Sequence, residues 1–187
     1  MYDTSDIRKG LKIEIDGDPY TVVEFQFVKP GKGNAFTRCK IKNLITGAVL
    51  DRTYRSGEKL NEASLEEHTM QFLYQDDGGF HLMDQTTYEQ VAIPAATVGR
   101  DADFLTEGRV VQVLFFRDRP IGLTLPNFVE LTVTDTEPGV KGDTVSGARK
   151  AATLETGAVI NVPLFIERGE KLRVDTRSGE YVERVKN

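Results

Sequence analysis

The sequence predicts an all-β protein assembled from small barrels. Short apolar runs rich in β-branched and aromatic residues recur along the whole chain. Gly, Pro, Asn and Asp punctuate them, and helix signals are few. Each run is too short for a large open sheet, so closed or partly closed barrels are the expected way to dispose of strand edges. The 187 residues divide into three units of roughly 60 residues each, at the small end for autonomous domains.

The first strand run, 20–28, reads Tyr-Thr-Val-Val-Glu-Phe-Gln-Phe-Val. The next, 36–44, alternates: Thr37, Cys39 and Ile41 share one face, and Arg38, Lys40 and Lys42 share the other. Period-2 alternation on both sides of a Gly/Pro segment is a strand–turn–strand signal. The connection, Lys29-Pro30-Gly31-Lys32-Gly33-Asn34-Ala35, is too long for a two-residue hairpin turn. Longer loops more often reach something. Gly31 and Gly33 have no Cβ, so Lys32 can enter a narrow space without flanking bulk, and Pro30 stiffens the loop base. An amine carried this way suits contact with a polyanion, or chemical modification.

Further strand runs follow at 70–74, 80–83, 110–116, 129–133, 158–166, 172–174 and 181–185. A turn is expected at Asp76-Asp77-Gly78-Gly79, and strict alternation marks 129–134. Phe25, Phe27, Phe115 and Phe116 lie within strand runs, where core burial is the simpler expectation. A short helix is expected over 95–107, with Asp101 and Asp103 as candidate caps. Linker-like composition at 56–67, and a restart of strand signals after Pro126-Asn127, set the expected domains at 1–64, 65–127 and 128–187.

The apolar share of 39% suffices for packed cores. No stretch approaches transmembrane length. The polar, acidic N-terminus resembles neither a signal nor a transit peptide. A single cysteine, Cys39, excludes an internal disulfide framework and fits a reducing compartment, so a cytoplasmic protein is expected. The net charge is −5 overall, but it is unevenly spread. Residues 1–65 carry +2, 66–127 carry −6 and 128–187 carry −1, while the segment 29–59 alone carries +6. An acidic chain with one basic end docks on a polyanion in a single orientation, because its acidic parts are repelled from phosphate.

The residue inventory argues against an enzyme. Two histidines, His68 and His81, and one cysteine give no zinc-ligand spacing, so no metal and no cofactor are expected. No nucleophile elbow is present. Cys39 shares the face of Ile41 and reads as a small buried hydrophobe. Gly31-Lys32-Gly33 fails both phosphate-loop patterns: no glycine stands six residues before Lys32, and Phe36 stands where a dinucleotide fingerprint needs glycine. The adjacent pairs Glu66/Glu67 and Asp76/Asp77 point apart and read as solvated charge.

The residues 29–36 and 150–166, with Gly169-Glu170, Val174-Asp175-Thr176-Arg177 and Glu180-Tyr181, resemble bacterial translation elongation factor P along the whole chain. The resemblance implies an SH3-like (KOW-like) N-terminal barrel followed by two OB-type barrels, in an L-shaped molecule of tRNA-like outline. It implies a monomer that binds the 70S ribosome beside peptidyl-tRNA, touches ribosomal RNA, stimulates peptide-bond formation and relieves stalling at consecutive prolines. Lys32 would be the loop-tip residue, extended in the family by a lysine-modifying enzyme, for example with β-lysine. Lys29, Pro30, Gly31, Lys32, Gly33 and Asn34 would contact the tRNA acceptor end. From alternation alone, Arg38, Lys40 and Lys42 are candidate phosphate contacts. By the resemblance, Gly142, Asp143 and Thr144 would form an exit-site codon loop, and Tyr181 and Arg184 a C-terminal RNA contact. The alternatives are an elongation factor P-like paralogue or a general OB-type RNA-binding protein.

Overall fold

The computed structural model describes residues 1–139 and 147–186. Gly142, Asp143 and Thr144 lie outside the described residues. Three antiparallel sheets account for nearly all regular structure.

The first sheet contains β1 (Tyr2–Asp3), β2 (Lys12–Ile15), β3 (Asp18–Val28), β4 (Phe36–Asn43), β5 (Val49–Arg55) and β6 (Lys59–Glu62), in the order β1-β6-β2-β3-β4-β5. Asp16 and Gly17, with φ of 52° and 85°, turn β2 into β3 as a two-residue hairpin whose twist matches its strands. Ile7, Leu11, Ile13, Val22, Cys39, Ile41, Tyr54 and Leu60 form the core beneath this sheet. Full burial of each large aliphatic side chain contributes about 1.5–3 kcal/mol. Asn43 is buried as well, and its polar atoms are matched. Its Oδ1 accepts from the backbone N–H groups of Ile45 (2.8 Å) and Thr46 (3.0 Å), and its Nδ2 donates to Asp18 (3.1 Å).

The second sheet contains β7 (Leu65–Asp76), β8 (Gly79–Asp84), β9 (Gln90–Ile93), β10 (Val110–Phe116) and β11 (Arg119–Thr124), in the order β11-β10-β7-β8-β9. The segment 56–67, expected as a linker, is instead largely strand. Leu60 and Ala63 are buried in it, and this burial holds the chain extended. His68 therefore sits in β7, with its ring edge-on to Phe115 at 5.0 Å. His81, on β8, stacks on Tyr74 at 4.4 Å and meets Asp76 Oδ1 at 2.7 Å.

The helical segment is shorter than the expected 95–107. An α-turn, α1 (Ala95–Val98), follows Pro94 and passes into a 3-10 turn over Gly99–Phe104. No side chain caps either piece. Gly99, with φ of 56°, breaks the α-helix after one turn, and Asp101 is half-buried rather than capping, its carboxyl pushed up by that burial.

The third sheet contains β12 (Phe128–Thr136), β13 (Arg149–Leu154), β14 (Val159–Pro163), β15 (Lys171–Asp175) and β16 (Glu180–Arg184), in the order β14-β13-β12-β15-β16. A bulge between Val133 and Asp135 bends β12, and β14 approaches β16, as a barrel requires. Its core includes Leu131, Leu154, Val162, Ile166 and Leu172, and it also takes in Phe104 from the 3-10 turn. Thr156 Oγ1 donates to the carbonyl of Asp103 at 2.6 Å, and Arg109 donates to the carbonyl of Glu130 at 3.2 Å. These bonds tie the turn and the start of β10 to the third sheet.

The chain forms two compact units, Met1–His68 with Val113–Gly122, and Thr69–Gln112 with Leu123–Asn187. Among the described residues, no helix is long and apolar enough to cross a membrane, and no group of His, Cys, Asp or Glu could hold a metal ion.

Candidate nucleic-acid interface

β3 and β4 pair from Tyr20↔Asn43 out to Val28↔Phe36, and residues 29–35 cross between their ends. Lys29, Gly31, Lys32, Gly33 and Asn34 are exposed, and Pro30 is half-buried at the base. Gly33 has φ of 107°, a conformation that glycine adopts without strain. A Cβ on Gly31 would meet nothing within 4 Å, and one on Gly33 would come no closer than 3.9 Å, to Pro30 Cγ. Lys32 thus stands between two bare positions. No hydrogen bond or ion pair holds its amine to any described residue.

Along β4, burial alternates from Thr37 to Asn43, with Arg38, Lys40 and Lys42 exposed between buried neighbours. The three cations share the outward face. Arg38 lies 5.4 Å from the Phe36 ring centroid, and Lys40 approaches Glu24 at 3.8 Å. Arg55 on β5 pairs with Phe36 and falls on the same face. Such a row of exposed cations has the chemistry to meet phosphate, a contact that positions a nucleic acid without reading its bases. Cys39 is buried, and burial pushes its thiol up. An uncharged, shielded thiol is a poor nucleophile.

Phe25 and Phe27 overturn the expectation of burial. They are 48% and 60% exposed, whereas Phe116 is buried and Phe115 half-buried. The reason is strand pairing. β2 pairs with β3 only from Asp18 to Thr21, so beyond Val22 the outer side of β3 is a free edge. A bulge between Val22 and Glu24 breaks the register at that point, and a bulge bends the strand that carries it.

In the third sheet, Tyr181 is half-buried against the core. Arg184 is exposed, pairs with Glu170 at 3.2 Å and lies 5.4 Å from the exposed Phe165 ring. In the turn between β15 and β16, Arg177 grips Asp175 through Nε (3.1 Å) and Nη2 (2.8 Å), and its backbone N–H adds a third bond at 2.9 Å. The Arg177 side chain is the main cause that lowers the Asp175 carboxyl from 3.8 to about 2. A carboxyl with a depressed folded-state pKa contributes stability above its unfolded pKa and loses it as pH falls through the folded one. Asp175→Asn is therefore expected to lower the urea midpoint at pH 6. The gap to the parent protein should close between about pH 4 and pH 2, which a series of urea titrations would show.

Comparison with known proteins bears directly on these elements. Residues 3–60 match the Elongation factor P (EF-P) KOW-like domain, 65–123 the Elongation factor P (EF-P) OB domain, and 129–184 the Elongation factor P, C-terminal family. Elongation factor P of Desulfosudis oleivorans is 55% identical over 186 residues, which cover 100% of both chains. The chain belongs to the elongation factor P family. Elongation factor P of Syntrophus aciditrophicus is 54% identical, again over 100% of both chains. The expected class is thus met: a mostly β protein, with a KOW-like domain ahead of OB-type domains. In fold, the chain is similar to eukaryotic translation initiation factor 5A from Methanococcus jannaschii. That likeness has a TM-score of 0.54 at 22% identity and covers 66% of this chain and 93% of that one. Elongation factor P is a translation factor and not an enzyme, in line with the sparse catalytic inventory.

Proposed function

We propose that this member of the elongation factor P family binds the 70S ribosome beside peptidyl-tRNA and stimulates peptide-bond formation where consecutive prolines stall it. The observation that carries the reading is Lys32, exposed and unpartnered among the described residues at the tip of a basic hairpin. The proline ring fixes φ, which makes alignment of the reacting ends harder. Small misalignments cost large factors in rate. A factor that holds the acceptor end of peptidyl-tRNA restores alignment without doing chemistry. In this reading Lys29, Pro30, Gly31, Lys32, Gly33 and Asn34 meet the acceptor end, and Arg38, Lys40 and Lys42 meet phosphates. Gly142-Asp143-Thr144 reaches the exit-site codon, and Tyr181 and Arg184 meet RNA. The domains are 1–64, 65–127 and 128–187, and the protein works as a monomer in the cytoplasm. Lys32 is the target of a lysine-modifying enzyme, since an amine so presented is open to extension, and a longer chain adds reach toward phosphate and 2′-hydroxyl groups.

The test is translation of a message encoding Pro-Pro-Pro in a purified ribosomal system. Protein from its native source is expected to release the stall, with no effect on a proline-free message. Persistence of the stall at ribosome-saturating protein would overturn the reading.

A further inference from the structure

We infer that Phe25 and Phe27 form a stacking shelf for unpaired nucleotides, on the face of the N-terminal hairpin opposite Arg38, Lys40 and Lys42. The inference rests on the reading of this protein as one that meets RNA. It assigns a second binding face, distinct from the loop tip and from the row of cations.

Phe25 pairs across β4 with Cys39, and Phe27 with Thr37. Paired residues share a face of the sheet, so both phenyl rings lie on the side of Thr37 and Cys39, which are themselves buried. On the next strand, Cys39 pairs with Arg52 and Thr37 with Tyr54. The Arg52 guanidinium lies 5.9 Å from the Tyr54 ring centroid, so the aromatic face carries its own cation. Phe25 and Phe27 are two residues apart on one strand, which sets their Cα atoms about 6.6 Å apart. That spacing leaves room for one planar ring between two phenyl rings, or one on each.

Two neighbouring, half-exposed phenylalanines on a free strand edge are a liability unless a partner covers them. Charge decides which partner. The segment 29–59 carries a net +6. A second copy would lay one basic ribbon beside another, and the repulsion opposes self-pairing. RNA supplies the opposite charge together with flat apolar rings. Exposed aromatics beside cations are the device by which single strands are held without sequence reading.

The experiment uses the full chain and a labelled 12-nucleotide single-stranded RNA, with a blunt duplex of equal length as the comparison. Four proteins are measured: the parent, the double variant Phe25→Ala/Phe27→Ala, the double variant to Leu, and the double variant to Tyr. Thermal unfolding checks that each is folded. The shelf predicts that the Ala and Leu variants weaken single-strand binding by about tenfold or more, with duplex binding unchanged. The Tyr variant should keep parent affinity. The dependence of log affinity on log salt should not change, because no cation is removed. Full affinity in the Leu variant overturns stacking and marks the patch as an apolar dock for a protein. Equal loss on single strand and duplex, or no single-strand binding by the parent at low salt, also overturns it. Stall relief is scored separately: Ala and Leu variants that still relieve the Pro-Pro-Pro stall, with unchanged RNA affinity, would sink the shelf and leave the translation reading standing.

Discussion

Replacement of Lys32 by alanine is expected to abolish stall relief while leaving the fold untouched. The side chain contacts no described residue by hydrogen bond or ion pair, and the glycines on both sides make no close contacts. Its removal should therefore change stability by less than about 0.5 kcal/mol, as exposed substitutions away from special features do. Function is a different matter. If the amine at the tip is what holds the acceptor end, its loss restores the misalignment that the factor corrects. The rate of Pro-Pro bond formation should then fall about 10- to 100-fold, toward the factor-free value. Lys32→Arg separates two sources of the effect. Arginine keeps the positive charge but not the primary amine, so it retains activity only if charge alone matters. Quench-flow measurement of Pro-Pro bond formation, with thermal unfolding in parallel, reads both quantities. Full activity in Lys32→Ala would remove the lysine from the mechanism, and a loss of several degrees in melting temperature would show a structural role for the tip.

Local patterning carried much of this structure. The alternation through 36–43 announced which side of β4 is buried, and the structure follows it residue by residue. The Gly-Lys-Gly loop between two strand runs was equally legible, since the short-range rules for strands and turns contain everything needed. What stayed hidden depends on where neighbouring strands end. Nothing in 20–28 announces that β2 stops pairing at Thr21, so Phe25 and Phe27 look like core residues until the edge is seen. The strand through His68 was obscured in the same way. Its charged surroundings read as a linker, yet Leu60 and Ala63 were available to bury. In the C-terminal sheet a register shift between Arg173 and Val174 sets Tyr181 opposite the buried Val174. Part of the Tyr181 ring is therefore engaged with the core, which a strict two-residue period would not indicate. The helix over 95–107 was half legible. A helical start near Ala95 is found, but Asp101 and Asp103 cap nothing, and Gly99 stops the α-helix early.

A methyl group on Gly79 is expected to be the most damaging single addition to the second sheet. Gly79 opens β8 opposite Asp76, and it is buried. Its φ is 113°, in a region that side chains with a Cβ rarely occupy. A Cβ there would lie 2.4 Å from the Ile93 carbonyl oxygen and 3.4 Å from Pro94 Cα. Both are backbone atoms, and Ile93 is pinned by its pairing with Phe80 and by complete burial of its side chain. Relief would require β9 to move off β8, which breaks ladder bonds and opens space beside Phe80 and Ile93. Gly79→Ala should therefore cost about 3 kcal/mol or more, in the range reserved for strain and core disruption. Gly157→Ala separates the two contributions. Gly157 has a similar handicap, with φ of 89°, but a Cβ there meets nothing within 4 Å. It should cost only the conformational share, about 1–2 kcal/mol. Urea unfolding of the two variants beside the parent measures the difference. Equal losses would mean that the β8–β9 ladder yields easily, and that backbone conformation alone sets the requirement for glycine at position 79.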